Sequence, residues 1–428
     1  MIKINIKNDI QVSLYKTDKF TRNVISVSFL TPLNENAANN ALLVAVMRLA
    51  NDKYQTLNDV NKYLENNYGA TYTVNVGKKG ENQLVRFSIS FIANCYTLEN
   101  EDITKNMMEF LYEMIRKPLI IDDAFKSDFV KIEKLNLINN IKSRKNNKRS
   151  YAKDNCIKNM CKNETYSLDE LGEINDIEAI TPEQLKEHYD KLLKTSNLIV
   201  SCFGRFDENA IKEWADKLFD FSHNNITIKT QYIKKAEKVN DYNEDMQVNQ
   251  SILVMGFRLG IENYQDHMFS LIMFNIIFGG GPNSRLFLNV REKLSLCYYC
   301  SSEIDRLKGI MLVSAGISKE NKKKTIDEVL AQLSLLQKGE ITDEDIENAY
   351  KTVVYSFEQT QDNLYALEGY YLNSFIGESN LTVEEVLKGI KTVTAEDIKN
   401  AAFLCTLDTV YFLNGVIEDD ENNKTAEL

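Results

Sequence analysis

The two halves of this 428-residue chain resemble each other, and this repeat constrains the fold more than any other feature. Thr181 begins the segment Thr-Pro-Glu-Gln-Leu-Lys, and Thr394 begins Thr-Ala-Glu-Asp-Ile-Lys, an offset of 213 residues (394 − 181). In both segments a threonine can cap a helix whose first turn carries acids, and an apolar strand pattern follows that ends in Gly204 or Gly415. The repeated order of helix and strand predicts that the chain arose by duplication.

A polar, charged stretch separates the two halves. Between residues 222 and 243 we find no strong helical or strand periodicity, and strand periodicity returns only at Val248. We therefore predict an N-terminal half over residues 1–221, a linker over 222–243 and a C-terminal half over 244–428.

Composition excludes several classes of protein. The formal net charge is −11, with 62 acidic against 51 basic residues, which argues against a general nucleic-acid binder. No apolar run approaches the length of about 18 residues needed for a membrane-spanning helix. Seven cysteines, an odd number spread over a long chain, suit a reducing compartment. We therefore expect a cytoplasmic protein with neither a nucleic-acid nor a membrane partner.

The stretch GGGPNSRLFLNVREKLSLCYY is the strongest candidate for a binding site. It predicts a loop at Gly279, Gly280 and Gly281, then a helix that ends near Arg291, then a strand that opens near Tyr298. A guanidinium and a phenol held on rigid elements can donate hydrogen bonds to the carbonyls of an extended peptide. Alternatively, the arginine lies on a solvated helix end and the tyrosine is a half-buried strand residue. The glycine loop either lets the arginine and the tyrosine adjust to a bound peptide or makes a tight turn.

The same stretch contains Cys297-x-x-Cys300. Two cysteines at this spacing can be redox-active or form half of a zinc site. In a regular strand, however, residues three apart point to opposite faces. The other close pair, Cys156 and Cys161, has a wider spacing. The sequence therefore favours neither a metal nor a redox role for these cysteines.

The order of the glycine loop, Ser-Arg-Leu-Phe, Arg-Glu-Lys and a tyrosine seven residues after the arginine resembles a known family. It is similar to the C-terminal half of the pitrilysin/insulinase (inverzincin) zinc peptidases, which include the mitochondrial processing peptidases. In that family the matching arginine and tyrosine contact substrate bound at a zinc site in the other half or in another subunit. The resemblance implies this role for Arg291 and Tyr298. It also implies two related α+β halves, each a mostly antiparallel sheet packed with helices, that face each other like a clamshell.

Catalytic members of that family carry H-x-x-E-H on their first helix, where the two histidines bind zinc and the glutamate is the general base. On this sequence the motif falls on Ala41, Val44 and Ala45, and the third ligand falls at Asn139 or Asn140. The three histidines of the chain are 35 (223 − 188) and 44 (267 − 223) residues apart, so no two can share a helical turn. We therefore expect no zinc or other cofactor in this chain.

These observations together predict the non-catalytic subunit of a metallopeptidase pair, inactive alone. Its expected partners are a zinc-carrying homologue with an intact H-x-x-E-H and a peptide substrate, and the isolated chain could also form a homodimer. An alternative remains open. Because some family members are structural core subunits of respiratory complexes, the chain could be a peptidase-like scaffold or peptide-binding protein without a catalytic partner.

Overall fold

This computed structural model describes residues 2–6, 10–224, 236–261 and 263–416. Its strands are β1 Ile2–Asn5, β2 Gln11–Lys16, β3 Arg22–Pro32, β4 Thr71–Lys79, β5 Asn82–Ile92, β6 Ile120–Ile121, β7 Ala124–Phe125, β8 Asn197–Gly204, β9 Asn240–Met246, β10 Ser251–Arg258, β11 Cys297–Asp305, β12 Ile310–Ile317 and β13 Thr406–Gly415. Its α-helices are α1 Ala37–Met47, α2 Leu57–Asn66, α3 Ile103–Arg116, α4 Ser127–Ser143, α5 Lys148–Met160, α6 Ile174–Ala179, α7 Pro182–Thr195, α8 Glu208–Leu218, α9 Met268–Phe278, α10 Lys322–Gln337, α11 Asp343–Asp362, α12 Leu364–Ile376, α13 Val383–Ile390 and α14 Ala395–Leu404.

Two larger sheets organise these elements. The first has the order β1-β2-β8-β3-β5-β4, and the second has the order β11-β12-β10-β13-β9. In the first sheet β2 and β8 are parallel, and in the second β9 and β13 are parallel, while every other neighbouring pair is antiparallel. The predicted α+β class, with mostly antiparallel sheets packed with helices, is confirmed.

The two sheets also share one topology, as expected for a duplication. The strand series β2-β8-β3-β5-β4 corresponds to β9-β13-β10-β12-β11, and the one parallel pair occupies the same place in each series. The helices before β8 and β13 both begin with a capping box, formed by Thr181 with Gln184 and by Thr394 with Asp397. In each box the threonine hydroxyl accepts from the backbone N–H three residues later, and that residue's side chain accepts from the threonine N–H.

One prediction about the linker needs correction. Residues 225–235, which make up half of the predicted linker, lie outside the described residues. The strand β9, however, begins at Asn240, before the expected return of strand periodicity at Val248. Its residues are mostly polar and alternate between exposed and half-buried, since β9 is an edge strand paired only with β13 in the described sheet. Such a strand lacks the apolar alternation that predicts strands from sequence.

The chain forms two compact units, neither of which is continuous in sequence. The first contains residues 1–143, 168–230 and 360–378, and the second contains residues 144–167, 231–359 and 379–428. Helix α5 thus belongs to the second unit, although it precedes the predicted linker, and helix α12 belongs to the first. Each unit therefore includes a segment from the other predicted half, residues 360–378 in the first unit and 144–167 in the second, and we call these the exchanged segments. The predicted boundaries of the duplicated halves stay a prediction.

A buried carboxylate anchors each exchanged segment. In the first unit, Glu368 of α12 accepts a hydrogen bond of 2.6 Å from the Ser26 hydroxyl and pairs with Arg86. In the second unit, Glu164, just after α5, pairs with Arg258 at 2.5 Å and with Lys308 at 2.6 Å. Because removing one partner of a buried ion pair leaves an uncompensated charge, these pairs fix where the segments dock.

Candidate functional site

The positions that match the zinc motif lie on α1, inside the hydrophobic core of the first unit. Ala41 and Val44 are buried and Ala45 is half-buried. The positions expected for the third ligand, Asn139 and Asn140, are exposed on α4. Alanine and valine offer neither a metal ligand nor a proton acceptor. In the part of the chain that the structure describes, no group of three or more histidine, cysteine, aspartate or glutamate side chains could hold a metal ion.

One histidine does approach α1, as part of a hydrogen-bonded network. His188 Nε2 lies 2.7 Å from Asn40 Oδ1, and Asn40 Nδ2 donates to Gln83 Oε1 at 2.7 Å. Gln83 Nε2 in turn donates to the carbonyls of Ala37 and Glu170. Burial, with a smaller contribution from a nearby lysine, lowers the pKa of His188 to about 4. The imidazole is therefore neutral near pH 7 and supports α1 through a hydrogen bond.

Arg291 lies on a π-helix, Leu286–Lys293, where the sequence predicted an ordinary helix. The Leu294 N–H donates to the Asn289 carbonyl at 3.1 Å, a spacing of five residues. The Arg291 guanidinium lies 4.6 Å from the centre of the Phe287 ring, and its Nε is 3.5 Å from Glu292 Oε1. Its side chain is 41% exposed. The guanidinium thus has an aromatic support and an exchangeable, exposed partner, while short π-helical segments are frequent at functional sites.

Tyr298 is the extra residue of a β-bulge. On β12, Ile317 pairs with Cys297 and Gly316 pairs with Tyr299, so Tyr298 has no partner of its own. The side chain of Tyr298 is 75% exposed. A bulge leaves its extra residue unpaired and re-aims its side chain, which is why bulges occur next to binding sites. The prediction of a half-buried strand tyrosine therefore does not describe Tyr298.

The glycine loop lies against the same strand as Tyr298. Gly279 ends α9, and its carbonyl accepts a hydrogen bond of 3.0 Å from the Ser302 N–H of β11. A Cβ added at Gly279 would lie 2.6 Å from Ser302 N, while a Cβ at Gly280 would lie 3.0 Å from Asn275 O. At Gly281 an added Cβ meets nothing closer than 3.9 Å. The structure therefore gives Gly279 the role of a close-packed turn.

The bulge overturns one expectation of the sequence analysis. Cys297 pairs with Ile317 and Cys300 pairs with Ala315, two positions on one face of β12. Because paired residues of neighbouring strands share a face, the two cysteines lie on the same face of the sheet, although regular alternation predicts opposite faces. Their exposed fractions are 9% and 4%. Gly316 is the sequence signal for this irregularity, since a glycine inside a strand pattern often marks a bulge.

The two thiols interact with each other and with Arg291. The hydrogen bond from Cys300 and the positive charge of Arg291 hold the pKa of Cys297 below its usual value, although burial opposes them. The same hydrogen bond and burial raise the pKa of Cys300. Cys297 is thus the more acidic thiol of the pair. In the second unit, the cysteine pair and Tyr298 therefore lie on β11, and the glycine loop lies against the same strand. The positive charge of Arg291 acts on Cys297.

The described helices include none with the length and hydrophobicity required to cross a bilayer.

Comparison with known proteins agrees with these features. Residues 179–353 match the family model described as the Peptidase M16 inactive domain. The chain is 29% identical over 404 residues to the "Probable inactive metalloprotease YmfF" of Bacillus subtilis, covering 94% of this chain and 95% of that protein. Among solved structures, a conserved protein from Enterococcus faecalis is similar with a TM-score of 0.90 and 27% identity, covering 98% of this chain and 99% of the other. A peptidase M16 inactive domain from Pseudomonas fluorescens has the same fold, with a TM-score of 0.79, 15% identity, and coverage of 97% and 98%.

The resemblance to the pitrilysin/insulinase family is confirmed by these matches, and the loss of zinc and base positions on α1 agrees with the inactive character of the matched family and relative. The chain is therefore similar to the inactive, peptidase-like proteins of the M16 family, through the match of residues 179–353 and its likeness to a probable inactive metalloprotease over nearly its whole length.

Proposed function

We propose that this chain is the non-catalytic subunit of a cytoplasmic zinc metallopeptidase pair, and that it supplies a peptide-binding grip to the partner's active site. The observation that carries the proposal is a contrast between two sites. The positions for zinc binding and proton transfer are apolar at Ala41, Val44 and Ala45, whereas Tyr298 is exposed and the side chain of Arg291 is 41% exposed. A chain that only conserved its fold has no evident need for a solvent-facing arginine and tyrosine on a π-helix and a bulge.

The chemistry of the grip follows from the donors. The Arg291 guanidinium offers several N–H donors in a fixed plane, and the Tyr298 phenol offers one O–H donor. Carbonyls of an extended peptide can accept both. Glu292, at 3.5 Å and exposed, holds Arg291 only weakly, so a peptide carbonyl can replace it at little cost. Such positioning accelerates a reaction by holding the scissile bond in place.

The partner must supply what this chain lacks. Hydrolysis needs a Lewis acid and a general base, which the H-x-x-E-H helix of a catalytic homologue provides. We therefore propose that zinc is carried by the partner, that this chain carries no cofactor, and that the substrate is a peptide. Self-pairing of the isolated chain is a further possibility that the same purification tests.

The first experiment is an affinity purification of the chain from its source cells at native expression, followed by identification of the co-purifying proteins. The eluate is then assayed on quenched fluorescent peptides with and without a zinc chelator. We expect a stoichiometric homologue with H-x-x-E-H and cleavage that the chelator abolishes. A lone or self-paired chain without cleavage would instead support the scaffold or peptide-binding alternative.

The role of the grip is tested in the reconstituted pair. Arg291→Ala combined with Tyr298→Phe should leave pairing intact and lower peptidase activity at least roughly tenfold, a loss of about 1.4 kcal/mol in transition-state stabilisation. The matched control is Lys351→Ala with Tyr355→Phe, which removes an exposed cation and an exposed phenol on α11. Equal activity of both double variants would contradict the proposed grip.

A further inference from the structure

The β-bulge on β11 does more than expose Tyr298, because it also places two thiols side by side. Because the bulge adds one residue, Cys297 and Cys300 lie on one face of β11, as residues i and i+2 do in a regular strand. They pair with Ile317 and Ala315 of β12. Both are buried, and the neighbouring Cys300 lowers the pKa of Cys297. A regular strand would put these thiols on opposite faces. The pairing is therefore a product of the bulge, and it needs a chemical explanation.

We infer that Cys297 and Cys300 form a reversible intramolecular disulfide by exchange with low-molecular-weight disulfides, and that this bond controls how Tyr298 is presented. The control of Tyr298 rests on the proposed function, whereas the disulfide itself does not.

The spacing of the two residues permits the bond. Residues two apart on a strand face are separated by about 6.6–6.8 Å at the Cα atoms, and disulfides span up to about 6.8 Å. Closing the bond must therefore draw Cys297 and Cys300 together, which tightens the chain between them. That chain is Tyr298 and Tyr299, so the bulge absorbs the change. Disulfides at the limit of the geometric range are the more readily reduced kind, which suits a reversible modification in a reducing compartment.

The chemistry balances with one small disulfide, RSSR, as oxidant. The Cys297 thiolate attacks one sulfur of RSSR, the S–S bond breaks, and RS⁻ leaves and takes up a proton. Cys300 then loses its proton and its sulfur attacks Cys297 Sγ, which expels the second RS⁻. In total the protein loses two protons and two electrons, and RSSR becomes two RSH. Excess RSH reverses both steps.

The surroundings assign the attacking role to Cys297. The Cys300 hydrogen bond and the Arg291 charge favour its thiolate, and it is the less buried of the two. It also follows the exposed Ser295, whose φ of +49° is strained for a residue other than glycine. A strained turn beside a buried thiol provides a place where the chain can open to admit a small disulfide. Cys300, with its raised pKa, suits the resolving role.

The other cysteines are poor candidates for the same reaction. Cys95 is exposed, and each of the four remaining cysteines, Cys156, Cys161, Cys202 and Cys405, is buried. Burial raises the pKa of each of these four thiols. Cys95 can form an adduct with a small disulfide, but it provides an internal measure of reagent activity and not a competing switch.

The experiment treats the full-length protein with oxidised glutathione, alkylates the remaining thiols and digests the protein with trypsin. Cleavage after Lys293 and Arg306 gives one fragment that contains both cysteines. We expect this fragment to be unalkylated and lighter than its dithiol form by two hydrogens, and to return to the dithiol form in excess reduced glutathione. Cys300→Ser should stop the reaction at a glutathione adduct on Cys297. Cys297→Ser should leave Cys300 unmodified, and Cys95→Ser should not change the fragment.

Recovery of a fully alkylated fragment while Cys95 carries glutathione would overturn the inference, as would adducts on both cysteines without ring closure. The control of Tyr298 is tested by peptide binding to reduced and oxidised protein, for which we expect a difference of at least roughly fivefold in Kd. The Cys297→Ser, Cys300→Ser double variant should show no such difference. Disulfide formation without any change in binding would refute the regulation alone. Absence of peptide binding by both the reduced chain and its reconstituted pair would instead refute the proposed function and leave the disulfide standing.

Discussion

Replacing Glu164 by glutamine removes a carboxylate that two buried cations share. Glu164 Oε1 is 2.5 Å from Arg258 Nη2, and Glu164 Oε2 is 2.6 Å from Lys308 Nζ. The exposed fractions of the three side chains are 6%, 3% and 0% in that order. Burial alone raises the pKa of Glu164, but the two cations overcome burial, and the net pKa lies below the usual value. The carboxylate is therefore ionised in the native protein near pH 7.

The expected cost follows from the partners that remain. Breaking a buried ion pair by removing one partner typically costs about 3–5 kcal/mol. Arg258 keeps Asp408 at 3.1 Å and the Met160 carbonyl at 2.8 Å, and glutamine can still accept one hydrogen bond. We therefore expect the lower end of the range, about 3 kcal/mol, in the free energy of opening the second unit. This corresponds to roughly 100-fold faster amide hydrogen exchange wherever exchange proceeds through that opening.

Hydrogen exchange with mass spectrometry measures this effect unit by unit, which matters because a chain of two units need not unfold in one step. Peptides from α5 and β10 should lose protection in Glu164→Gln, whereas peptides from β3 and β5 should not. The control is Glu347→Gln, which removes an exposed ion pair with Lys351 of the same length, 2.6 Å, and should change nothing. Unaltered protection of α5 would refute the reasoning and show that desolvation cancels the attraction between the charges.

Two further predictions concern the glycine loop and the histidine beside α1. Gly279→Ala should destabilise the protein by about 1–3 kcal/mol, because the added Cβ would lie 2.6 Å from Ser302 N. Gly281→Ala should have little effect, since an added Cβ there meets nothing closer than 3.9 Å. Equal unfolding temperatures of the two variants would contradict this prediction. The ring C–H resonances of His188 should titrate with a pKa of about 4 by NMR. Because the pKa of His188 is higher in the unfolded chain, this histidine contributes stability that is present above pH 6.5 and is lost as the pH falls towards 4. An ordinary pKa would show that the imidazole is not buried.

Much of the local structure could be predicted from the sequence. The helix caps at Thr181 and Thr394 could be predicted because a cap depends on residues within one helical turn. The duplication followed from the repeated order of elements, and the α+β class followed from the resemblance to a known family. Strand β9 was missed, since an edge strand of polar residues has no apolar alternation to detect. The π-helix was predicted only as a helix, because the apolar spacing at Leu286 and Val290 does not specify the hydrogen-bond pattern.

By itself, the sequence determined that this chain cannot form the zinc site of the peptidase family that it resembles. Metal binding needs particular side chains at fixed helical spacing, and alanine at positions 41 and 45 excludes them whatever the fold. Only the tertiary structure decided where the exchanged segments dock and which residues of β11 share a face. Cys297 and Cys300 meet, and Tyr298 projects, because the register of β11 shifts against β12 at Gly316. Register is set by pairing between residues distant in sequence, so local periodicity does not contain it.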